Sequence, residues 1–148
     1  MENTPAQVIV AYLIENGYFA TPTNNATWPL YTGHMPEENK NLACAYDTQG
    51  FLDGTILRTG EVIEHYGFQI IIRSKDYDTG WIKGNEIALH LDGIKDQSVS
   101  IDSDDYVIEN VMRTSAVIFI GADEKRRFEF SLNFRTDTKS KRKEYYNE

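Results

Sequence analysis

The sequence contains one cysteine, Cys44, among its 148 residues. A single cysteine cannot form an intrachain disulfide, and it has no second thiol beside it to make a zinc-binding motif. The three histidines, His34, His65 and His90, lie far apart in the sequence and match no HExxH pattern. We therefore expect no metal and no cofactor, and we expect Cys44 to be a buried residue of a protein that folds in a reducing compartment.

Long apolar runs are also missing. No segment approaches the roughly 18 consecutive apolar residues that a membrane-spanning helix needs. The apolar segment Val8–Ile14 is not preceded by the basic residues of a secretion signal. We expect neither membrane insertion nor secretion.

Positive charge is scarce, with 15 basic residues against 23 acidic ones and a formal net charge of -8. A protein that grips a phosphate backbone needs several lysine or arginine contacts, so the composition argues against tight nucleic-acid binding. The exception is the segment 136–148, which we expect to be a polar, flexible tail after a single domain of residues 1–135. Its basic residues and two strand-end arginines are our candidate partner-binding residues: Lys139, Lys141, Arg142, Lys143, Arg73 and Arg135.

Apolar residues are plentiful, because 41% of the chain belongs to the hydrophobic class and 12% is aromatic. This composition supports one core without disulfides or metals, and it excludes a chain that is disordered throughout. The length is close to the commonest size of a single domain.

Two helices are predicted. The first begins at Thr4 and Pro5, which suit the cap and the first helical position, and ends before Gly17. The second runs from a cap at Asp76 to a stop at Gly93. Each helix has one apolar stripe that we expect to be buried: Val8, Ile9, Tyr12 and Leu13 in the first, and Tyr77, Gly80, Trp81, Gly84, Ile87, Ala88 and Leu91, continuing to Ile94, in the second.

Most other segments alternate as strands do. We predict strands at Leu42–Thr48 and Phe68–Arg73, a short extended segment at Leu30, and four more between Gly93 and Arg135. In the last of these, Phe128, Phe130, Leu132 and Phe134 share the face expected to be buried, while Arg127, Glu129, Ser131, Asn133 and Arg135 share the face expected to be exposed. The segment Phe51–Tyr66 fits either a hairpin arm or a mobile flap. The order of elements predicts an α+β fold, mainly an antiparallel β-sheet packed against two α-helices.

No catalytic constellation emerges from these residues. Glu86 and His90 are four residues apart on the second helix, but exposed pairs with this spacing are common on helix surfaces. The acidic turn with Asp102, Asp104 and Asp105 lacks the glycine and the distal glutamate of a calcium loop. We therefore expect no catalytic residues, and we interpret this turn as solvated.

The ordered motifs of the chain resemble the minor capsid and tail-terminator family of long-tailed phages of Gram-positive hosts. The resemblance covers nearly the whole chain and depends on the order and spacing of its segments, each of which is weak by itself. One of them, YDTQG, departs from the YDTGG expected there. The segments are LYTGHMP at Leu30–Pro36, AYDTQG at Ala45–Gly50, FQIIIRSKDYDTG at Phe68–Gly80, IALHLDG at Ile87–Gly93 and RRFEFSLNF at Arg126–Phe134.

The resemblance implies a virion structural protein and not an enzyme. Family members form a ring, usually a hexamer, at the head-proximal end of the tail tube, where they stop tube growth and join the tail to the head connector. The implied partners are other copies of the chain, the tail tube protein and the connector, with DNA passing through the ring without tight binding. The implied location is the tail or neck of the virion, after assembly in the host cytoplasm.

Two other interpretations stay open. The chain could be another neck or head-completion protein of the same phage module. It could also be a small-ligand-binding or enzymatic α+β domain, in which the long loop Tyr18–Lys40, with Trp28 and His34, closes over a pocket.

Overall fold

The computed structural model describes residues 1–55 and 62–141 of the chain, and for residues 51–55 and 62–64 it describes the backbone alone. Part of the predicted flap Phe51–Tyr66 therefore lies outside the described residues, as do Arg142 and Lys143 of the predicted tail. The elements follow in the order α1 (Pro5–Glu15), β1 (Leu30–Thr32), β2 (Leu42–Thr55), β3 (Val62–Ser74), α2 (Tyr77–Leu91), β4 (Lys95–Ile101), β5 (Asp104–Arg113), β6 (Ile118–Ala122) and β7 (Phe128–Ser140).

The described strands form one seven-stranded sheet in the order β1-β2-β3-β7-β5-β4, and β6 pairs with β7 beside this path. All pairings are antiparallel except that of β1 with β2. The predicted α+β class and its mainly antiparallel sheet are confirmed.

Strand β7 lies at the centre of this sheet. One of its edges pairs with β3 from Phe128 to Thr136. The other edge pairs first with β6 and then with β5. Because β6 and β5 take different halves of the same edge, the sheet divides beside β7.

Both predicted helices form at the predicted caps. The Thr4 hydroxyl accepts from the Gln7 amide and the Gln7 side chain accepts from the Thr4 amide, which makes a capping box at the start of α1. The Asp76 carboxylate accepts from the Thr79 amide at the start of α2. The predicted buried faces of the two helices are confirmed, except at Tyr77 and Trp81.

Trp81 and Tyr77 lie at the surface, 43% and 42% exposed, so the expectation that the buried stripe begins with them is wrong. The reason is a close approach at Gly80, where an added Cβ would come within 2.6 Å of the Phe130 ring. The backbone of α2 rests directly on the sheet there, and this turns the neighbouring large side chains outward. This close approach accounts for a glycine at position 80 of the buried stripe.

The expected boundary between residues 135 and 136 is also wrong, because β7 continues through it to Ser140. Thr136 and Thr138 are buried, and the Thr136 hydroxyl donates to the Asn110 carbonyl oxygen at 2.8 Å. Residues 136–140 pair with β5 and belong to the sheet.

Candidate docking surface

The described basic residues of the predicted tail lie on and just after the end of β7. Lys139 pairs with Glu109 of β5, with 3.1 Å between Nζ and Oε2, and Lys141 donates to the Ser98 hydroxyl of β4 at 3.2 Å. Each lysine therefore has a partner within its own chain, although Lys139 remains 63% exposed.

Arg73, a strand-end arginine that we named as a candidate partner-binding residue, is buried. Its Nη2 lies 3.0 Å from the Glu129 carboxylate of β7, and its Nη1 donates to the Pro36 carbonyl oxygen at 3.0 Å. Arg135 is half-buried, and its Nη2 lies 3.4 Å from the Met112 sulfur. The structure thus separates the two arginines and holds Arg73 inside the subunit.

A second buried arginine, Arg127, lies immediately before β7, at a position that the alternation assigned to solvent. Its side chain donates from Nε to Asp123 at 2.7 Å, from Nη2 to Glu37 at 3.1 Å and from Nη1 to the Glu38 carbonyl oxygen at 3.3 Å. The hydrogen bond from Arg127 lowers the pKa of Asp123 to about 2. Arg73 and Arg127 together fasten the loop at Pro36–Glu38 against the sheet, and this loop is what covers them.

Glu86 and His90, which the spacing on α2 brings to one side of the helix, have different hydrogen-bond and ion-pair partners. His90 lies between two tyrosines, with its Nε2 2.9 Å from the Tyr12 hydroxyl and its Nδ1 2.9 Å from the Tyr18 hydroxyl. Glu86 pairs with Lys83 at 3.1 Å. His90 therefore connects α2 to α1 and to the chain that follows α1.

The loop Tyr18–Lys40 does not bring Trp28 and His34 together over a pocket. Trp28 packs edge-on against Phe19, with 6.4 Å between ring centroids, and the Lys83 ammonium lies 5.5 Å from the centre of the Trp28 ring. His34 is exposed. Trp28 thus packs against Phe19 and Lys83, apart from His34.

Cys44 is fully buried, and burial raises the pKa of its thiol. A buried thiol with a raised pKa is mostly protonated and a poor nucleophile. Across residues 1–55 and 62–141, no three histidine, cysteine, aspartate or glutamate side chains are grouped so that they could hold a metal ion. No helix among these residues is long and apolar enough to cross a membrane.

The largest exposed apolar side chains concentrate on α2 and β6. On α2, Ile82 and Leu89 are each 67% exposed, and Trp81 is 43% exposed. On β6, three consecutive residues are exposed: Ile118, Phe119 and Ile120. We call these residues, with Tyr77, the α2–β6 surface.

Aromatic contacts connect the two elements of this surface. The Tyr77 ring meets the Phe119 ring edge-on at 5.2 Å between centroids, and both rings lie over Phe130, which is fully buried. Exposed apolar groups of this size mark interaction sites on soluble proteins. The predicted helix and strand contain these residues. The sequence alone does not show that α2 has an exposed apolar side as well as a buried one.

One family of known proteins matches this chain. The family described as bacteriophage tail terminator protein matches residues 12–139, which include the last turn of α1, all of α2 and the seven strands apart from the last residue of β7. The chain belongs to this family. Membership identifies a phage protein of the virion tail. No curated protein sequence matches the chain.

Proposed function

We propose that this protein closes the head-proximal end of the phage tail tube as a ring of identical subunits, and that the ring joins the tail to the head connector. The observation that carries the proposal is the family match over residues 12–139. The expected ring is a hexamer, it assembles in the host cytoplasm, and the protein is not an enzyme.

The exposed α2 face supports docking to a partner. Ile82 and Leu89 are the most exposed large apolar side chains among the described residues, at 67% each. Burying them against the tube or the connector removes apolar area from water, worth about 25 cal/mol per Å² before the entropic cost of association. The exposure of both side chains in the subunit leaves them available for this contact.

The test measures tube growth directly. Tail tube protein is polymerised with and without the purified chain, tube lengths are measured by electron microscopy, and the mass of the chain is measured by light scattering alone and on tubes. We expect short, capped tubes and a closed ring, either free or formed on the tube. Tubes of unchanged length, together with a protein that is monomeric in both settings, would contradict the proposal.

The double variant Ile82→Asp, Leu89→Asp tests the α2 face. We expect it to fold normally, because both side chains are exposed, and to cap tubes at least about tenfold less tightly, as loss of interface anchors does. Met112→Asp is the matched control. Met112 is 48% exposed on β5, and an aspartate there would meet Arg135, so this variant should cap tubes normally.

A further inference from the structure

Helix α1 is apolar on its outward side as well as on its core side. Val8, Ile9, Tyr12 and Leu13 are buried in the core, yet Val10, Ala11 and Ile14 on the opposite side are also apolar and only partly covered. A helix that is apolar all round is normally enclosed by other elements. Here its outward side lines an open groove.

This groove lies between α1 and the turn that joins β4 to β5, and its volume is about 660 Å³. Its apolar lining comes from Val10, Ala11, Ile14 and Ile101. Of the described residues that line it, Glu15 and Asp102 are the charged ones, and none is a lysine or arginine. We call it the α1 groove.

Strand β6 presents exposed apolar side chains, which complement the apolar lining of the α1 groove. Within the described chain it pairs only with β7, so its other edge is open, and Ile118, Phe119 and Ile120 on it are exposed. Its pairing with β7 shifts register between Phe119 and Gly121, which makes a bulge at Ile120.

The turn after β6 places one exposed cation without a carboxylate partner among the described residues beside this apolar strand. Arg126 is exposed, whereas Lys125, 61% exposed, already has a carboxylate 3.6 Å from its Nζ. The acidic residues of the same turn are Asp123, which is paired with the buried Arg127, and Glu124, which is exposed. Arg126 is therefore the cation of this turn that fits a groove with two carboxylates.

Both surfaces belong to the same chain and share no residue. A contact between two different surfaces of identical subunits is head-to-tail, and such contacts close into rings when the rotation between subunits allows it. We propose, on the basis of the ring proposed above, that β6 of one copy docks in the α1 groove of the next copy. Ile120 then contacts Ile14, and Arg126 faces Glu15.

The first experiment is a charge exchange. Arg126→Glu and Glu15→Arg should each weaken ring formation about tenfold or more, measured by light scattering over a range of concentrations, because each puts like charges together. The double variant should recover most of the loss. Arg126 has a left-handed backbone with φ of 58°, but arginine and glutamate are both unbranched there, so the exchange adds little strain. Single variants that assemble like the parent would overturn the proposal.

The second experiment is cross-linking between copies. Ile14→Cys and Ile120→Cys are placed in one chain and treated with a short bifunctional maleimide, with Cys44 shielded by its complete burial. We expect ladders of cross-linked subunits up to the closed ring. The control pairs Ile14→Cys with Met112→Cys, and it should give no ladder.

The outcomes separate the two proposals. Rings that form and cap tubes without Ile14–Ile120 cross-links overturn this interface and leave the proposed function standing. A parent chain that neither forms rings nor caps tubes overturns both. If Ile120→Cys lowers the melting temperature, the charge exchange Arg126→Glu with Glu15→Arg decides the question, because the side chains of Arg126 and Glu15 are both exposed.

Discussion

At the scale of single residues, the two buried arginines are the most consequential departures from the alternating pattern. Arg127 is 4% exposed and is held by two carboxylates and a carbonyl oxygen. We expect Arg127→Met to lower the free energy of unfolding by about 1 to 3 kcal/mol, because it removes the charged hydrogen bonds that hold the loop at Pro36–Glu38 to the sheet, while the carboxylates left behind stay in contact with water. Urea denaturation measures this change. Lys125→Met, at a 61% exposed neighbour, is the control and should change stability by less than about 0.5 kcal/mol.

His90 makes stability depend on pH. Burial lowers the pKa of its imidazole, while Glu86 raises it more weakly. The unfolded chain therefore takes up the proton more readily. The stabilising effect of neutral His90 is complete above the unfolded pKa of about 6.5, and it is lost as the pH falls from there through the lower pKa of the folded state. Thermal melts from pH 8 to pH 5 should show this loss, and His90→Gln should flatten the profile in that range. An unchanged profile in the variant would assign the effect to other groups.

At the scale of elements, two glycines of α2 give opposite expectations for the same substitution. A Cβ at Gly80 would lie 2.6 Å from the Phe130 ring, whereas one at Gly84 would lie 3.4 Å from Val117 in ordinary contact. We expect Gly80→Ala to destabilise the protein by about 1 to 3 kcal/mol through overpacking. Gly84→Ala should be neutral or stabilising by up to about 1 kcal/mol, since alanine favours the helix. Chemical denaturation of the two variants side by side checks both.

The length of β7 predicts where the chain tolerates truncation. Removing residues 136–148 deletes the part of β7 that pairs with Tyr106–Val111 of β5, including the buried Thr136 and Thr138. We therefore expect this truncated chain to lose its cooperative thermal transition. Removing only residues 142–148 keeps all of β7 and should preserve the transition. Circular dichroism melts distinguish the two. Equal melting temperatures would contradict the assignment of 136–140 to the sheet.

The sequence predicts elements well because capping and alternation are local. Both helix starts and the strand at Phe68–Arg73 need only neighbours in the chain to be recognised. The burial of Arg73 and Arg127 could not be predicted in this way, because their cover, the loop at Pro36–Glu38, comes from a distant segment. The alternation of Thr136 and Thr138 was a usable signal for a longer β7. The α1 groove and the open edge of β6 could not be predicted, since they depend on how the sheet curls and divides.

At the scale of the whole molecule, charge determines how the protein meets DNA. The net charge is -8, and the described lysines at the end of β7 already contact Glu109 and Ser98. We expect no duplex binding tighter than about micromolar near physiological salt, because too few cations are available to release counterions. A fluorescence titration measures this. Tight binding that disappears when residues 142–148 are removed would favour a DNA-binding role instead of passage through the ring.

The central position of β7 also has a consequence for biosynthesis. Its partners β3, β5 and β6 all precede it in the chain, so a ribosome releases three strands before the strand that joins them. Chains emerge at roughly 5 to 20 residues per second, which leaves these strand edges open for seconds. During that interval the apolar residues of β6 have neither β7 nor another subunit beside them. The nascent chain is therefore the form of this protein most exposed to aggregation and to chaperones.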